Sequence, residues 1–293
     1  MKKLVSKLLG LYINVLAIVA PRYAEQFGLA LFCYPFRGKM TARQKEFLRS
    51  ATQFSFPFQN ETIAGYRWGK GTKKVLLVHG WQSHSYRWKA YIEQLIAHDY
   101  SVFACDAPGH GLSTGKFLSV PLYSEVIETL ITQIGKPDAI VGHSIGGFSV
   151  LFTLYRNPTL SPDKLVVMAA PGEAKEFFYF YKTSLSLSQR SMDLIIQRFK
   201  ARFKHGPEFF SAPRFASVIN VPGLIIHDEG DDETSVEHSR RVHKQWGNSK
   251  LHVTKGLGHN LKSVEVVKEV VQFIEETPLV TEKSGSTLQN SLI

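Results

Sequence analysis

Beyond residue 52, short runs of β-branched and aromatic residues alternate with stretches whose apolar positions recur at helical spacing. Gln53–Phe58 and Ile63–Trp68 predict antiparallel strands around a Gln59-Asn60 turn. Lys74–His79 is a continuous apolar run, the pattern of a strand buried on both faces in a parallel sheet. Ser101–Asp106, Ala139–Gly142, Lys164–Met168, Gly223–His227 and Ser249–Val253 predict further strands. Helices are predicted over Arg87–His98, Val120–Ile134, Ile145–Asn157, Val236–Trp246 and Val264–Glu275, the last with Val264, Val267, Val271 and Ile274 on one face. Alternation of this kind predicts an α/β fold, a mostly parallel sheet of about eight strands with helices on both faces. Ligands of such sheets bind beyond the carboxyl ends of the strands, and candidate chemistry is sought there.

The first 52 residues follow another pattern. Leu8 to Ala20 is an uncharged run of 13 residues behind Lys2, Lys3 and Lys7, shorter than the ~20 apolar residues that span a bilayer. The run has the length of a signal-peptide core. Cleavage after Ala20 would put Ile18 at −3 with Pro21 beyond the cut, and cleavage after Ala24 would put Arg22 at −3. Lys3, Lys7, Gly10 and Asn14 share one helical face, while Leu4, Leu8, Leu11, Val15 and Ile18 line the other. That favours an amphipathic helix lying on the protein or on a membrane surface, with plain core packing as the alternative. A second helix is predicted over Ala24–Tyr34, stopped by Pro35, and a third, basic and solvated, over Thr41–Thr52. The resulting organisation is an N-terminal helical segment (1–52), a core (53–171 and 217–276), an insertion (172–216) and a polar, disordered tail (277–293).

Composition narrows the class. With 293 residues, 44% hydrophobic and 20% charged, the chain can bury a large core and is not intrinsically disordered. Cys33 and Cys105 cannot form a disulfide framework, and no Cys/His spacing reads as a zinc site. A reducing, cytoplasmic setting is expected, with peripheral membrane association or export by an N-terminal signal as alternatives. The net charge of +10 is concentrated. Residues 1–50 carry nine Lys/Arg against Glu25 and Glu46, and residues 172–216 carry eight basic groups against four acidic ones. These charges flank apolar segments and no nucleic-acid module is present, so an anionic membrane is the expected partner surface and nucleic acid is not.

Gly142-His143-Ser144-Ile145-Gly146 is a G-x-S-x-G segment that follows a predicted strand and opens a predicted helix, the context of a nucleophile elbow. Glycines at 142 and 146 suit a turn in which backbone segments pass closely. A serine nucleophile needs a general base. His259, in Gly256-Leu257-Gly258-His259-Asn260 between the last strand and the closing helix, is the candidate. An acid must hold its tautomer, and the loop after Gly223–His227 offers Asp228, Glu229, Asp231, Asp232 and Glu233. Asp231 is the first choice and Asp232 the competitor. The candidate oxyanion donors are the backbone N–H groups of Ile145 and, in the loop His79-Gly80-Trp81, of Trp81.

With these residues in place, the stretch from about 53 to 276 resembles the α/β-hydrolase superfamily, in particular its serine esterase and lipase-like members. His79-Gly80 stands at the family's oxyanion loop, and Asp106-Ala107-Pro108-Gly109-His110-Gly111-Leu112-Ser113 resembles its D-x-P-G-H-G-x-S segment. Ile226-His227-Asp228-Glu229-Gly230-Asp231 resembles the strand and loop that carry the acid, which the resemblance puts on Asp231. The order Ser144, Asp231, His259 is the family order. Asp106 and His110 are implied to hold loops rather than to react. The serine argues against the aspartate-dependent dehalogenases and epoxide hydrolases, and Trp81-Gln82-Ser83 lacks the glycine run of many lipases. The resemblance implies a small helical cap at 172–216, here rich in aromatics, and hydrolysis of a small-molecule ester or thioester through an acyl-enzyme, with a hydrophobic acyl group and without metal or organic cofactor. Acyl transfer, perhydrolysis or C–C bond hydrolysis would use the same residues. A membrane-surface binding protein with an idle triad is the non-enzymatic alternative.

Overall fold

The structure, a computed structural model, describes residues 2–36 and 38–276; the tail predicted for 277–293 lies outside the described residues. Eight strands form one sheet: β1 (Thr52–Phe58), β2 (Glu61–Trp68), β3 (Lys73–Val78), β4 (Tyr100–Cys105), β5 (Ala139–His143), β6 (Lys164–Met168), β7 (Gly223–Asp228) and β8 (Ser249–Thr254). Their spatial order is β1-β2-β4-β3-β5-β6-β7-β8. β1 and β2 pair antiparallel through the turn at Gln59, whose φ is 52°, and β2 pairs antiparallel with β4. The strands from β4 to β8 are parallel.

Strand periodicity divides the core in two. Leu76, Val78, Ile140, Leu165 and Val167 point to one face, packing with α5 (Val120–Ile134) and α6 (Ile145–Arg156), and α10 (Val236–Gln245) adds Val242 to that layer. Val75, Leu77, Val141, Val166 and Met168 point to the other face, covered by α4 (Lys89–Ala97) and α11 (Val264–Glu275). In α11 the buried stripe is Val266, Val267, Val270, Val271, Phe273 and Ile274, and Val264 is exposed at the first turn, one turn outside the face expected for it. The third helix, α3 (Ala42–Arg49), is shorter than predicted because β1 takes up Thr52. It is also more than a solvated connector: Leu48 is fully buried and Phe47 stacks on Trp68.

The insertion leaves the sheet at the carboxyl end of β6 and forms α7 (Ala174–Leu185), α8 (Gln189–Phe203) and the short α9 (Ala212–Ala216). Its aromatic residues mostly make its own core. Phe199 meets Phe178, Phe203 and Phe210 at ring-centroid separations of 5.1, 4.8 and 5.6 Å. Phe210 in turn meets Phe152 of α6 at 5.2 Å, joining insertion to body.

The N-terminal helices, α1 (Lys2–Val19) and α2 (Pro21–Phe32), complete this insertion rather than forming a unit of their own. Phe32 packs on Phe178 at 4.4 Å, and the Tyr181 hydroxyl donates to the Gly28 carbonyl at 2.9 Å. α1 lies so close to α7 that a Cβ on Gly10 would stand 1.7 Å from the Leu185 carbonyl oxygen. Its orientation excludes plain core packing of the leucine face. Gly10, Ile13 and Ala17 are buried, whereas Leu4, Leu8, Leu11, Val15 and Ile18 face outward.

Candidate active site

Ser144 sits between β5 and α6 with φ 55° and ψ −130°, a left-handed conformation that an L-residue adopts only at a cost of about 1–3 kcal/mol. The turn is closed so tightly that a Cβ on Gly146 would come within 2.4 Å of the His79 carbonyl oxygen. Surrounding structure therefore holds the strain, and Ser144 and Ile145 remain partly open to solvent.

His259 lies in the loop between β8 and α11, and its Nε2 is 3.0 Å from Ser144 Oγ. Its Nδ1 is 2.8 Å from Asp231 Oδ2. A carboxylate only accepts, so Nδ1 carries the proton, which leaves the Nε2 lone pair to accept from the serine hydroxyl. The Asp231 side chain is fully buried. Both its oxygens are occupied by donors: Oδ1 accepts from the Glu233 and Thr234 amides, each at 2.9 Å. Oδ2 also accepts from Thr234 Oγ1 at 3.0 Å and from His227 Nε2 at 3.2 Å. Burial raises the carboxyl pKa, but donation from His227, His259 and the Thr234 amide outweighs it and holds Asp231 far below the ordinary carboxylate range. Asp232, the competing candidate, is exposed.

The structure gives several residues supporting roles that the sequence did not assign to them. His227, fully buried at the end of β7, is fixed by Ser239 Oγ at 2.7 Å on Nδ1 and the Thr234 carbonyl at 2.8 Å on Nε2. Thr234 Oγ1 lies 3.2 Å from His259 Nδ1. His143, the first variable residue of the elbow, donates from Nε2 to the His259 carbonyl at 2.8 Å and so props the histidine loop. Asp228 holds the same loop from the other side, accepting from the Leu257 amide at 2.9 Å and Thr254 Oγ1 at 2.8 Å. The i, i+4 pair His227/Asp231 across a turn was the one available signal for the second histidine. Glu233 is an exposed carboxylate 3.8 Å from His259 Nε2.

The loop after β3 approaches from the opposite side. A Cβ on Gly80 would lie 2.9 Å from Ser144 Cβ. His79 Nδ1 donates to the Gly80 carbonyl at 2.8 Å, and His79 Nε2 accepts from the Ala107 amide at 2.9 Å. In a trans peptide the N–H points opposite the carbonyl, so this bond turns the Trp81 N–H away from His79. The Ile145 N–H is the first of α6 and has no acceptor within the helix. Asp106 and His110 brace the neighbouring loops: Asp106 accepts from Tyr66 Oη, the Ser85 amide and hydroxyl and the Leu112 amide, and His110 Nε2 accepts from the Gln82 amide at 3.1 Å.

Burial, above all, depresses the pKa of His79 and His143 well below the ordinary 6.5. Both rings therefore stay neutral in the folded chain under conditions that protonate them once unfolded. Below pH 6.5 the unfolded state binds more protons, so stability falls as pH drops and is fully present above it. The two rings together are expected to lower the thermal midpoint by about 5 °C between pH 7.5 and 5.5. A midpoint that stays constant over that range, measured by calorimetry, would contradict neutral buried rings.

A parallel sheet with helices on both faces, a strained serine at a strand–helix turn and a histidine loop after the last strand define an α/β-hydrolase fold. The comparisons agree. A family model described as serine aminopeptidase, S33, matches residues 69–214. A serine hydrolase-like protein of Danio rerio is 32% identical over 115 residues, 36% of this chain and 35% of that protein. The monoglyceride lipase of Homo sapiens is 30% identical over 124 residues, 36% of this chain and 40% of the lipase. The matches thus span well under half the length of these two relatives. The crystal structure of a putative lipase from Acinetobacter baumannii AYE superposes with a TM-score of 0.61 at 19% identity, covering 81% of this chain and 97% of the other. The chain belongs to the α/β-hydrolase superfamily.

Proposed function

We propose that the protein is a serine hydrolase that cleaves a carboxylic ester or thioester with an apolar acyl group through an acyl-enzyme. The observation that carries this reading is the continuous relay from Ser144 Oγ to His259 (3.0 Å) to Asp231 (2.8 Å), with the serine at an accessible elbow. Ser144 Oγ attacks the carbonyl carbon while its proton passes to His259 Nε2. The tetrahedral oxyanion is held by the Ile145 and Trp81 amides. Its collapse breaks the bond to the leaving oxygen or sulfur, which receives the proton from His259. Water then attacks the acyl carbon, giving one proton to His259, and Ser144 departs with that proton. Asp231 stays ionised throughout and stabilises the imidazolium. The apolar acyl group is supported by the monoglyceride lipase among the relatives.

Hydrolysis of p-nitrophenyl esters of increasing acyl length tests the reading. Turnover is expected to rise from acetate towards medium-length chains, with kcat/KM gaining up to about 4-fold per methylene at ~0.8 kcal/mol each. A preference for acetate would overturn the apolar acyl group. Failure of an active-serine phosphonate to label the protein would overturn the catalytic role of Ser144.

A further inference from the structure

α1 presents its apolar side to solvent. Leu4, Leu8, Leu11, Val15 and Ile18 are between 48% and 71% exposed, and they form one uninterrupted helical face. α2 extends it: Tyr12 and Phe27 meet edge to face at 5.5 Å, so the outward side chains of both helices form a single surface. Monomeric proteins rarely leave such an area bare.

This orientation is held by specific bonds. Asn14 Nδ2 donates to the Ser186 carbonyl at 3.1 Å, and Asn14 Oδ1 accepts from the Ser188 amide and the Ser191 hydroxyl, both at 2.8 Å. Arg190 Nε donates to the Ala17 carbonyl at 2.7 Å. Rolling the helix to bury its leucines would break all four bonds and drive the Gly10 face away from Leu185. The apolar face is therefore a fixed feature of the folded chain.

We propose that this face docks the protein onto an anionic phospholipid bilayer, with α1 and α2 lying in the interface. Charge selects the bilayer over a second copy of the chain. α1 contains no acidic residue, Lys7 borders its apolar face beside Leu11 and Ile18, and Arg22 is exposed at the start of α2. The first fifty residues carry nine basic groups against two acidic ones. Two such faces brought together would oppose like charges around their rim, whereas anionic headgroups neutralise them. The exposed Tyr12 and Tyr23 suit the headgroup boundary. Among the described residues no helix is long and apolar enough to cross a membrane, and the bonds of α1 to α8 and to the turn before it hold it flat against the insertion. The insertion to which both helices are bound leaves the sheet at the carboxyl end of β6, and Ser144 lies at the carboxyl end of the neighbouring β5.

Vesicle flotation of the full chain tests this independently of hydrolysis, since binding is read without turnover. Vesicles of phosphatidylcholine with phosphatidylglycerol are expected to carry the protein, and pure phosphatidylcholine to carry at least fivefold less. Combined Leu8→Gln, Leu11→Gln and Val15→Gln is expected to lower the partition coefficient at least tenfold with an unchanged thermal midpoint, because these side chains are exposed. Lys7→Glu with Arg22→Glu, which leaves the apolar face intact, should remove the preference for anionic vesicles. The proposal is overturned by absence of vesicle binding, by equal binding of the triple variant, or by equal binding to neutral vesicles. A concentration-dependent dimer, abolished by the triple variant without vesicle binding, would assign the face to a second copy instead.

Discussion

Ser144→Ala is expected to reduce kcat for an activated ester by about 10⁵- to 10⁶-fold, with the folded structure unchanged. The size of the effect follows from the relay acting as a unit. Without Oγ, His259 Nε2 has no hydroxyl to accept from, and water would have to attack without a covalent intermediate. The fold should survive because the serine's structural work is done by its backbone: its amide donates to the Met168 carbonyl at 2.8 Å, and its carbonyl accepts from the Phe148 amide at 3.1 Å. Alanine also tolerates φ 55° about as well as serine does, so the thermal midpoint should move by no more than a few degrees. Stopped assays with the purified variant decide the matter. Residual cleavage within tenfold of the parent would mean that the histidine alone, or another nucleophile, carries the reaction.

The positions of Ser144 and His259 could be read in the sequence because each is set by local punctuation. A strand, two glycines and a helix start define the elbow, and Gly256 and Gly258 bracket the histidine loop. The sheet was legible for the same reason: parallel strands buried on both faces are continuous apolar runs whose limits moved by no more than a few residues. The arrangement of α1 was not legible. The pattern left the leucine face open to protein or to a membrane surface, and the choice is made by Asn14 and Gly10, which face protein through partners more than 170 residues away. Nothing local to residues 2–19 encodes Ser186 or Ser188. The second histidine escaped for a related reason. His227 reads as the last residue of an apolar strand, and only the turn of the Asp228–Asp231 loop brings the Asp231 carboxylate back to its Nε2. α3 shows the converse error: a basic helix looked solvated because its two anchoring residues, Phe47 and Leu48, are adjacent rather than periodic.

The second large effect concerns Asp231. Replacement by Asn preserves shape but removes one acceptor from a group surrounded by donors. In the parent, Oδ1 accepts two amides and Oδ2 accepts His259 Nδ1, Thr234 Oγ1 and His227 Nε2. An Asn side chain has two placements, and each fails. With its NH2 toward the Glu233 and Thr234 amides, donor meets donor and the turn that shapes the loop loosens, at a cost of about 1–3 kcal/mol in stability. With its NH2 toward His259, the ring must take the tautomer that accepts at Nδ1. Nε2 then carries the proton, points it at Ser144 and cannot receive another. The second placement keeps both amide bonds at Oδ1, and His227 Nε2 and Thr234 Oγ1 retain the Thr234 and Ala169 carbonyls as acceptors, so it is expected to dominate, giving a fall in kcat of about 10⁴-fold with KM nearly unchanged. Asp232→Asn, at the exposed neighbouring carboxylate, should alter kcat by less than threefold. Steady-state kinetics of the two variants on one ester separates the assignments: a large loss in Asp232→Asn with a small one in Asp231→Asn would move the acid to residue 232. Equal, modest losses would mean that His259 works without a dedicated acid, and the buried five-donor cradle would then serve folding alone.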